Sequence, residues 1–240
     1  MIQNIIDIHS HILPGLDDGA RTLEETMETL SHAREQNVRD IFVTPHFHPG
    51  RYMVSPSEIY RSADVVRREC ERRGLDIRLH LGQECYYYSE LAEHLQKGTV
   101  LTLADSRYVL LEFDPDCSYS RMLYGVQELL SIGYQPVLAH FERYRCLNHM
   151  EHLYELRERG VLLQMNFDTL HGRGFLFGRN PWRAMVKQGL VDYLGSDCHG
   201  TYFRPLQITD TLKWMEKELE PELLHQLLVR NPENILNEDR

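Results

Sequence analysis

Short apolar runs alternate with longer segments of helical period along the chain. Most of these runs carry β-branched or aromatic residues, as strands buried on both faces do. Seven strands are predicted, at residues 5–8, 41–44, 77–81, 108–111, 135–139, 162–166 and 193–195. Because parallel strands are joined by crossover helices, the alternation predicts an α/β fold built around a parallel sheet.

The helices between these strands have recognisable starts. Residues 22–25 and 55–58 both fit the capping-box pattern, in which Thr or Ser precedes Glu by three positions. Asn180-Pro181 and Asn231-Pro232 are two further candidate starts, since proline suits the first turn of a helix. Behind the first cap, apolar residues recur at helical spacing and predict one buried face: Leu23, Met27, Leu30 and Ala33.

The length and composition fit one globular domain over residues 1–240. The 240 residues lie within the usual size of a single α/β barrel, and 42% of them are hydrophobic and 26% charged. No apolar run reaches the roughly 18 residues of a membrane span, and the first residues lack the features of a signal peptide. We therefore expect a cytoplasmic protein without direct membrane insertion.

Charge and cysteine content exclude several other classes of protein. The net charge of −10 disfavours a nonspecific nucleic-acid partner, because such proteins need a basic surface to displace counterions from phosphates. The five cysteines are scattered and include no C-x-x-C pair. Neither a disulfide framework nor a structural zinc knuckle is expected from that pattern. The sequence carries no signal for an oligomeric state.

Metal-binding residue types follow the predicted strands. Histidine, aspartate or glutamate stands at or just after the end of six of the seven strands, and the carboxyl ends of parallel barrel strands open on one face. A single histidine at such a place is more often a surface or core residue, but the recurrence is hard to obtain by chance. With one aspartate from the first loop added, the candidate metal ligands are His9, His11, Asp18, His46, Glu84, Glu112, His140, Asp197 and His199.

This candidate set is too large for one ion. Structural zinc takes about four ligands and prefers thiolate or imidazole groups, whereas carboxylates mixed with imidazoles suit a cluster of harder divalent cations. We therefore predict two or three divalent ions, with Mn²⁺, Fe²⁺, Zn²⁺, Co²⁺ and Mg²⁺ as the candidates. Two ions about 3.5–4 Å apart can hold a hydroxide nucleophile and stabilise both oxygens of an in-line phosphoryl displacement. Hydrolysis of a phosphate ester is the predicted reaction.

Two arginines lie just beyond the ligands of the fifth and seventh strands. Arg143 and Arg204 are candidate catalytic residues, because a guanidinium group matches phosphate oxygens with two parallel hydrogen bonds. An ordinary surface ion pair is the alternative interpretation, and Arg143 is the better placed of the two.

The motifs at the strand ends resemble those of the polymerase-and-histidinol-phosphatase superfamily. They are DIHSHILPGLDDG at residues 7–19, TPH at 44–46, GQE at 82–84, AHFERY at 139–144 and SDCH at 196–199. More narrowly, the chain resembles the bacterial protein-tyrosine phosphatases of capsule and exopolysaccharide loci, from the first strand to the last helix. One departure is Phe141, where relatives often have proline.

The resemblance implies both a fold and a function. The fold would be a distorted seven-stranded (β/α) barrel with the metal site at the carboxyl ends of its strands. That site would be trinuclear and favour manganese, with the nine residues above as ligands and Arg143 and Arg204 as the phosphate-binding pair. The substrate would be phosphotyrosine in the tail of a partner bacterial tyrosine kinase, whose dephosphorylation regulates capsular or exopolysaccharide biosynthesis.

A second phosphatase signature in the chain is interpreted as coincidence. Cys198 and Arg204 fit the C-x5-R pattern of cysteine-dependent tyrosine phosphatases. That chemistry needs a glycine-rich loop that cradles phosphate at a helix N-terminus. Here Pro205 follows the arginine, and strand alternation turns Cys198 away from the side of its neighbours Asp197 and His199.

Alternative functions remain open at this point. One is a metal-dependent phosphatase for a small metabolite such as histidinol phosphate, which would need a closed pocket with groups for an amine. Another is a noncatalytic metal-binding regulatory module attached to a kinase or polymerase, which would be favoured by missing ligands. A metal-dependent nuclease is disfavoured by the net charge.

Several neighbouring features receive a structural interpretation. Tyr86-Tyr87-Tyr88 is a candidate platform for a phosphotyrosine ring, but such a run more often packs at a barrel rim. Arg51 and Tyr52 contact either substrate or solvent, and His48 is taken as incidental. Residues 171–174 form a loop on the ligand-bearing face and are a candidate lid.

Overall fold

The strands appear where the hydrophobic pattern predicts them. The computed structural model describes residues 2–171 and 180–238, so residues 172–174 of the candidate lid lie outside the described part. All seven predicted strands are present among the described residues, together with three short strands that were not predicted, β3, β4 and β6. The strands are β1 (Ile5–Asp7), β2 (Val38–Val43), β3 (His46–His48), β4 (Tyr52–Met53), β5 (Arg78–Leu81), β6 (Glu84–Tyr86), β7 (Tyr108–Glu112), β8 (Gln135–Leu138), β9 (Leu162–Asn166) and β10 (Tyr193–Gly195).

Helices separate most of these strands. Their bounds are α1 (Leu23–Glu35), α2 (Pro56–Arg73), α3 (Leu91–Gln96), α4 (Tyr119–Ser131), α5 (Met150–Glu158), α6 (Pro181–Lys187), α7 (Thr209–Glu218), α8 (Pro221–His225) and α9 (Asn231–Leu236). None of the described helices combines the length and apolarity needed to cross a membrane.

The four predicted helix starts are confirmed, three of them with a side-chain cap. The Thr22 side chain accepts a hydrogen bond from the Glu25 amide, and Ser55 and Glu58 form a complete capping box. The Asn180 side chain likewise caps α6 by accepting from the Trp182 amide. At Asn231-Pro232 α9 begins as predicted, but Asn231 does not cap it, because helical backbone runs into it from the π-helical segment Gln226–Arg230 and the Asn231 amide group instead donates to the Asp192 carbonyl.

The strands form two hydrogen-bonded sheets. One has the order β1-β2-β5 and is parallel, and the other has the order β10-β9-β8-β7-β6-β3-β4. All neighbours in the second sheet are parallel except the β3–β4 hairpin. The predicted α/β fold with parallel strands is therefore present.

Continuous chain and backbone hydrogen bonds join the two sheets. The chain continues from β2 in the first sheet through Pro45, which cannot donate a ladder hydrogen bond, into β3 in the second sheet. In the same way it continues from β5 through residues 82–83 into β6. On the opposite side Ser10 pairs with Cys198 in a parallel bridge, and the Asp197 amide donates to the His9 carbonyl at 2.8 Å. Backbone hydrogen bonds thus also join the segment after β1 to the segment after β10.

Alternate residues of the strands enter two separate apolar clusters. Leu110 of β7 belongs to the smaller cluster, whereas its neighbours Val109 and Leu111 belong to the larger one. Side chains of a strand point alternately to its two faces. The smaller cluster joins strands across the interior and includes Ile6, Phe42, Leu110, Val137 and Tyr193, and the larger cluster packs the other faces of the strands against the helices.

Candidate metal centre

The nine predicted ligands come together beyond the carboxyl ends of the strands, around the buried side chain of Glu84. Its Oε2 atom lies 3.3 Å from His9 Nε2 and 3.2 Å from His11 Nε2. The same atom is 3.0 Å from His46 Nδ1. Its other oxygen, Oε1, is 2.7 Å from His140 Nε2. Residues from four predicted strands therefore meet at one carboxylate.

Donor atoms in this cluster form three overlapping sets. In each set the atoms lie within 4.8 Å of one another, and the sets are His11, Asp18, His46 and His199; His9, His11 and Glu84; and His46, Glu84 and Glu112. Every pair of sets shares one residue, which is His11, His46 or Glu84. Shared residues of this kind suit neighbouring cations with bridging ligands.

The two remaining predicted ligands lie against these sets. Asp197 Oδ1 is 3.5 Å from both His11 Nε2 and His199 Nδ1. His140 Nε2 is 3.7 Å from Glu112 Oε1. The backbone of His140 (φ 32°) and of Asp197 (φ 49°) is left-handed, which is uncommon for residues other than glycine and typical of functional positions.

Several buried polar atoms of the cluster have no hydrogen-bond partner among the described residues. They include His46 Nδ1, Glu84 Oε2 and His199 Nε2. Leaving such an atom unsatisfied costs about 1–3 kcal/mol, so native proteins rarely bury it without a purpose. Cations bound at this position would satisfy these lone pairs, and the residues present therefore fit a metal centre.

The electrostatics of the carboxylates support the same interpretation. Burial, together with the neighbouring charge of Glu84, raises the pKa of Glu112 to about 8. Hydrogen bonds from His199 and His46 instead hold the pKa of Asp18 well below its usual range. A divalent cation beside Glu84 and Glu112 would offset the cost of burying two close negative charges.

Polar groups behind the cluster fix the orientation of two histidine rings. His9 Nδ1 lies 3.0 Å from Gln164 Oε1, and His11 Nδ1 lies 2.8 Å from Asp17 Oδ2. Because these acceptors take the Nδ1 proton, the Nε2 lone pairs of both rings face the cluster. The loop bearing Asp17 passes close to His11 at Gly19, where a Cβ atom would collide with the His11 carbonyl oxygen.

The sixth predicted strand, which carries no candidate ligand, supplies two amides to this supporting layer. Gln164 Oε1 also accepts from the His140 amide at 2.9 Å, and its Nε2 donates to Asn166 Oδ1 at 2.9 Å. Asn166 Nδ2 in turn donates to Asp197 Oδ2 at 2.9 Å. One pair of amides therefore contacts three predicted ligands, namely His9, His140 and Asp197.

Replacing Gln164 by leucine is expected to weaken metal binding and catalysis about 10- to 100-fold, the usual cost of losing a partner of a metal-bound histidine. Titration calorimetry with Mn²⁺ and steady-state kinetics measure the two effects. Gln83→Leu is the matched control, since among the described residues the buried side-chain amide of Gln83 hydrogen-bonds only to the backbone of Val54 and Leu101. Equal loss of metal affinity in both variants would contradict a positioning role for Gln164.

Both predicted arginines reach the edge of the cluster. Arg143 Nη2 and Arg204 Nη1 donate to Asp197 Oδ2 at 2.7 Å and 2.6 Å. Each side chain is about one-third exposed and lines a cleft of about 730 Å³ that opens onto the candidate ligands. Phe141, the residue at which the motif departs from relatives, is buried, and its ring packs edge-on against Trp182.

The C-x5-R signature does not form a cysteine-phosphatase site. Cys198 is fully buried in the larger apolar cluster, and burial raises the pKa of its thiol. Arg204 contacts Asp197 and the Phe203 ring. A buried thiol of raised pKa is a poor nucleophile.

Sequence reasoning missed the supporting residues Asp17, Gln164 and Asn166. Asp17 stands beside the predicted Asp18 in the loop between β1 and α1. Gln164 and Asn166 share one face of β9, so polar residues at alternate positions of a buried strand were the available signal.

Comparison with known proteins gives relatives over nearly the whole chain. The family described as "Capsular polysaccharide synthesis, CpsB/CapC" matches residues 5–237. The tyrosine-protein phosphatase CpsB of Streptococcus agalactiae serotype V is 31% identical over 242 residues, covering 97% of this chain and 98% of the relative. The tyrosine-protein phosphatase YwqE of Bacillus subtilis (strain 168) is 33% identical over 238 residues, covering 97% and 91%.

The comparison with solved structures gives the same kind of protein. A chain from the crystal structures of B. subtilis YwqE and Streptococcus pneumoniae CpsB, described as unique metal-dependent tyrosine phosphatases, has a TM-score of 0.86 at 32% identity and covers 98% of this chain and 96% of its own. The phosphotriesterase homology protein of Escherichia coli has a TM-score of 0.61 at 12% identity, covers 98% and 99%, and shares the fold alone. The resemblance drawn from the motifs is thus confirmed: the chain belongs to the CpsB/CapC family, whose relatives named here are tyrosine-protein phosphatases.

Proposed function

We propose that this protein hydrolyses phosphotyrosine in a protein substrate and uses two or three divalent cations to do so. The observation that carries the proposal is the presence of three overlapping donor sets that share His11, His46 and Glu84, next to two arginines. The activity of the CpsB and YwqE relatives supports the same chemistry.

The predicted ligands divide among the proposed ions by their sets. His9, His11 and Glu84 would hold one ion, and His46, Glu84 and Glu112 a second. His11, Asp18, His46 and His199 would hold a third, with Asp197 and His140 at the edges of these sets. Mixed imidazole and carboxylate donors suit Mn²⁺, and Fe²⁺, Zn²⁺, Co²⁺ and Mg²⁺ are the alternatives to test. Bound cations of this kind supply a strong nucleophile at neutral pH and neutralise charge on phosphate oxygens.

Arg143 and Arg204 are proposed to orient the phosphate group. Both guanidinium groups donate to one oxygen of Asp197. Each arginine has further N–H groups, and the cleft they line gives a phosphate access to them. Charge-assisted hydrogen bonds from two sides would then hold the phosphate against the metal centre as charge builds up on its oxygens.

A protein substrate is favoured over a small metabolite by the surface beside the cleft. Tyr202 and Phe203 are 83% and 79% exposed and directly precede Arg204. Exposed aromatic residues beside an active site suit contact with a polypeptide. Given the family's description in capsular polysaccharide synthesis, we propose the phosphotyrosine-bearing tail of a bacterial tyrosine kinase as the natural substrate.

The proposal is tested by comparing three substrates with the Mn²⁺-loaded protein. They are a phosphotyrosine peptide, the same peptide with phosphoserine, and histidinol phosphate. The highest kcat/KM is expected for the phosphotyrosine peptide. A preference for histidinol phosphate would identify a metabolite phosphatase instead, and turnover of none of the three would support a noncatalytic metal-binding module.

A further inference from the structure

Three neighbouring strands carry a row of aromatic side chains directly beyond the metal centre. In β3 and β6 the candidate ligands His46 and Glu84 are register partners. Two residues further along the same strands stand His48 and Tyr86, which share the faces of His46 and Glu84 because strand side chains alternate. Tyr52 of β4 pairs with His48 across the hairpin. Tyr52, His48 and Tyr86 are called the aromatic row below.

Ring contacts tie this row to itself and to the metal centre. The His48 and Tyr86 rings have centroids 4.0 Å apart, and the Tyr52 ring stacks on the candidate ligand His46 at 5.6 Å with an interplanar angle of 15°. All three side chains are only partly buried and line the cleft that contains the donor sets. The row is therefore held in place and also open to a ligand in the cleft.

The distance from the candidate ligands to the aromatic row matches the distance from the phosphate to the ring of an aryl phosphate. Two residues along a strand correspond to about 6–7 Å, so the row stands about one ring length beyond the level of His46 and Glu84. A phosphate at the metal centre would place an attached phenyl ring at this height, whereas the short side chain of phosphoserine would not fill it. Arg143 and Arg204 line the same cleft and can approach the phosphate itself.

We propose that the aromatic row is the specificity element of this site, with Tyr52 and Tyr86 packing against the phenyl ring of phosphotyrosine. The inference rests on the proposed function and adds the residues that select an aryl over an alkyl phosphate. Of the three consecutive tyrosines, only Tyr86 is given a substrate contact. Tyr87 is buried and donates to Glu128, and Tyr88 packs near Phe47 and His94. His48, taken as incidental from the sequence, holds Tyr86 by ring contact.

The test measures how the ring of a ligand contributes to binding. Mn²⁺-loaded wild type, Tyr52→Ala and Tyr86→Ala are titrated with phenylphosphonate and with methylphosphonate, which share the phosphonate group and differ in the ring. Tyr52→Phe and Tyr86→Phe retain the ring. Tyr124→Ala is the matched control, because this tyrosine is 63% exposed and lies on α4 outside the cleft. The same proteins are assayed for kcat/KM with phosphotyrosine and phosphoserine peptides.

Each alanine variant is expected to bind phenylphosphonate about two- to tenfold more weakly, the usual contribution of one aromatic pair, with methylphosphonate unchanged. In the alanine variants the preference for phosphotyrosine over phosphoserine should fall by the same factor. The phenylalanine variants, which keep the ring, should retain the difference between the two phosphonates, and Tyr124→Ala should match wild type. Unchanged phenylphosphonate binding, or equal weakening of both phosphonates, would overturn the inference. If wild type binds both phosphonates but cleaves neither peptide, the proposed function fails while the ring contact is still measured.

Discussion

Replacing Glu84 by glutamine is expected to reduce turnover about a thousandfold or more. Glu84 belongs to two of the three donor sets, and its two oxygens lie near four histidines. Glutamine has nearly the same shape but no negative charge, so the variant would lose cations from two positions together. Loss of several kcal/mol of transition-state stabilisation corresponds to this factor, at about 1.36 kcal/mol for each tenfold change in rate.

Asp40→Asn provides a matched control for this experiment. Asp40 is also a buried carboxylate, and it accepts hydrogen bonds from Arg78 and His80 outside the donor sets. Its replacement should lower thermal stability with little effect on kcat or on bound manganese measured by elemental analysis. If Glu84→Gln kept its manganese and its kcat, the central position of Glu84 in the proposed metal centre would be wrong.

Removing Arg143 or Arg204 is expected to lower kcat/KM about 10- to 100-fold. A hydrogen bond to a charged partner contributes about 1.5–3 kcal/mol, which gives this range when one guanidinium is lost from the phosphate. Lysine at either position should recover only part of the activity, because an ammonium keeps the charge but lacks the planar fork. Steady-state kinetics with a phosphotyrosine peptide measures these effects.

Arg145→Ala is the control for the arginine variants. Arg145 follows two residues after Arg143 but pairs at the surface with Asp116, where its side chain is 79% exposed. Surface ion pairs contribute little, so this variant should retain wild-type kinetics. Full activity of both Arg143→Ala and Arg204→Ala would show that their contact with Asp197 is only structural.

Most of the fold and the convergence of the candidate ligands could be predicted because both depend on short-range patterns. Parallel strands bring their carboxyl ends to one face, so the face on which a strand-end histidine such as His46 or His140 lies can be predicted from the sequence. Their roles as metal ligands stay a prediction. The supporting residues were harder to recognise, since Gln164 acts through an amide that in sequence is an ordinary polar residue.

The missed strands and the absent cap at Asn231 have a common cause, which is that local signals depend on tertiary context. β3 and β6 are three residues each and follow a proline or a glycine-glutamine pair, so periodicity cannot identify them. Asn231-Pro232 has the residues of a helix start, yet the preceding π-helical segment leads into it without a break. π-helical turns are rare and have no sequence signal at this length.

Metal-dependent hydrolysis is tested most directly by an experiment that separates metal chemistry from thiol chemistry. Wild type and Cys198→Ser are stripped with a chelator and assayed on a phosphotyrosine peptide before and after addition of Mn²⁺. We expect no turnover in either stripped protein and equal recovery in both once Mn²⁺ is added, because Cys198 is buried and belongs to none of the donor sets. Turnover that persists without metal and disappears in Cys198→Ser would show thiol chemistry instead.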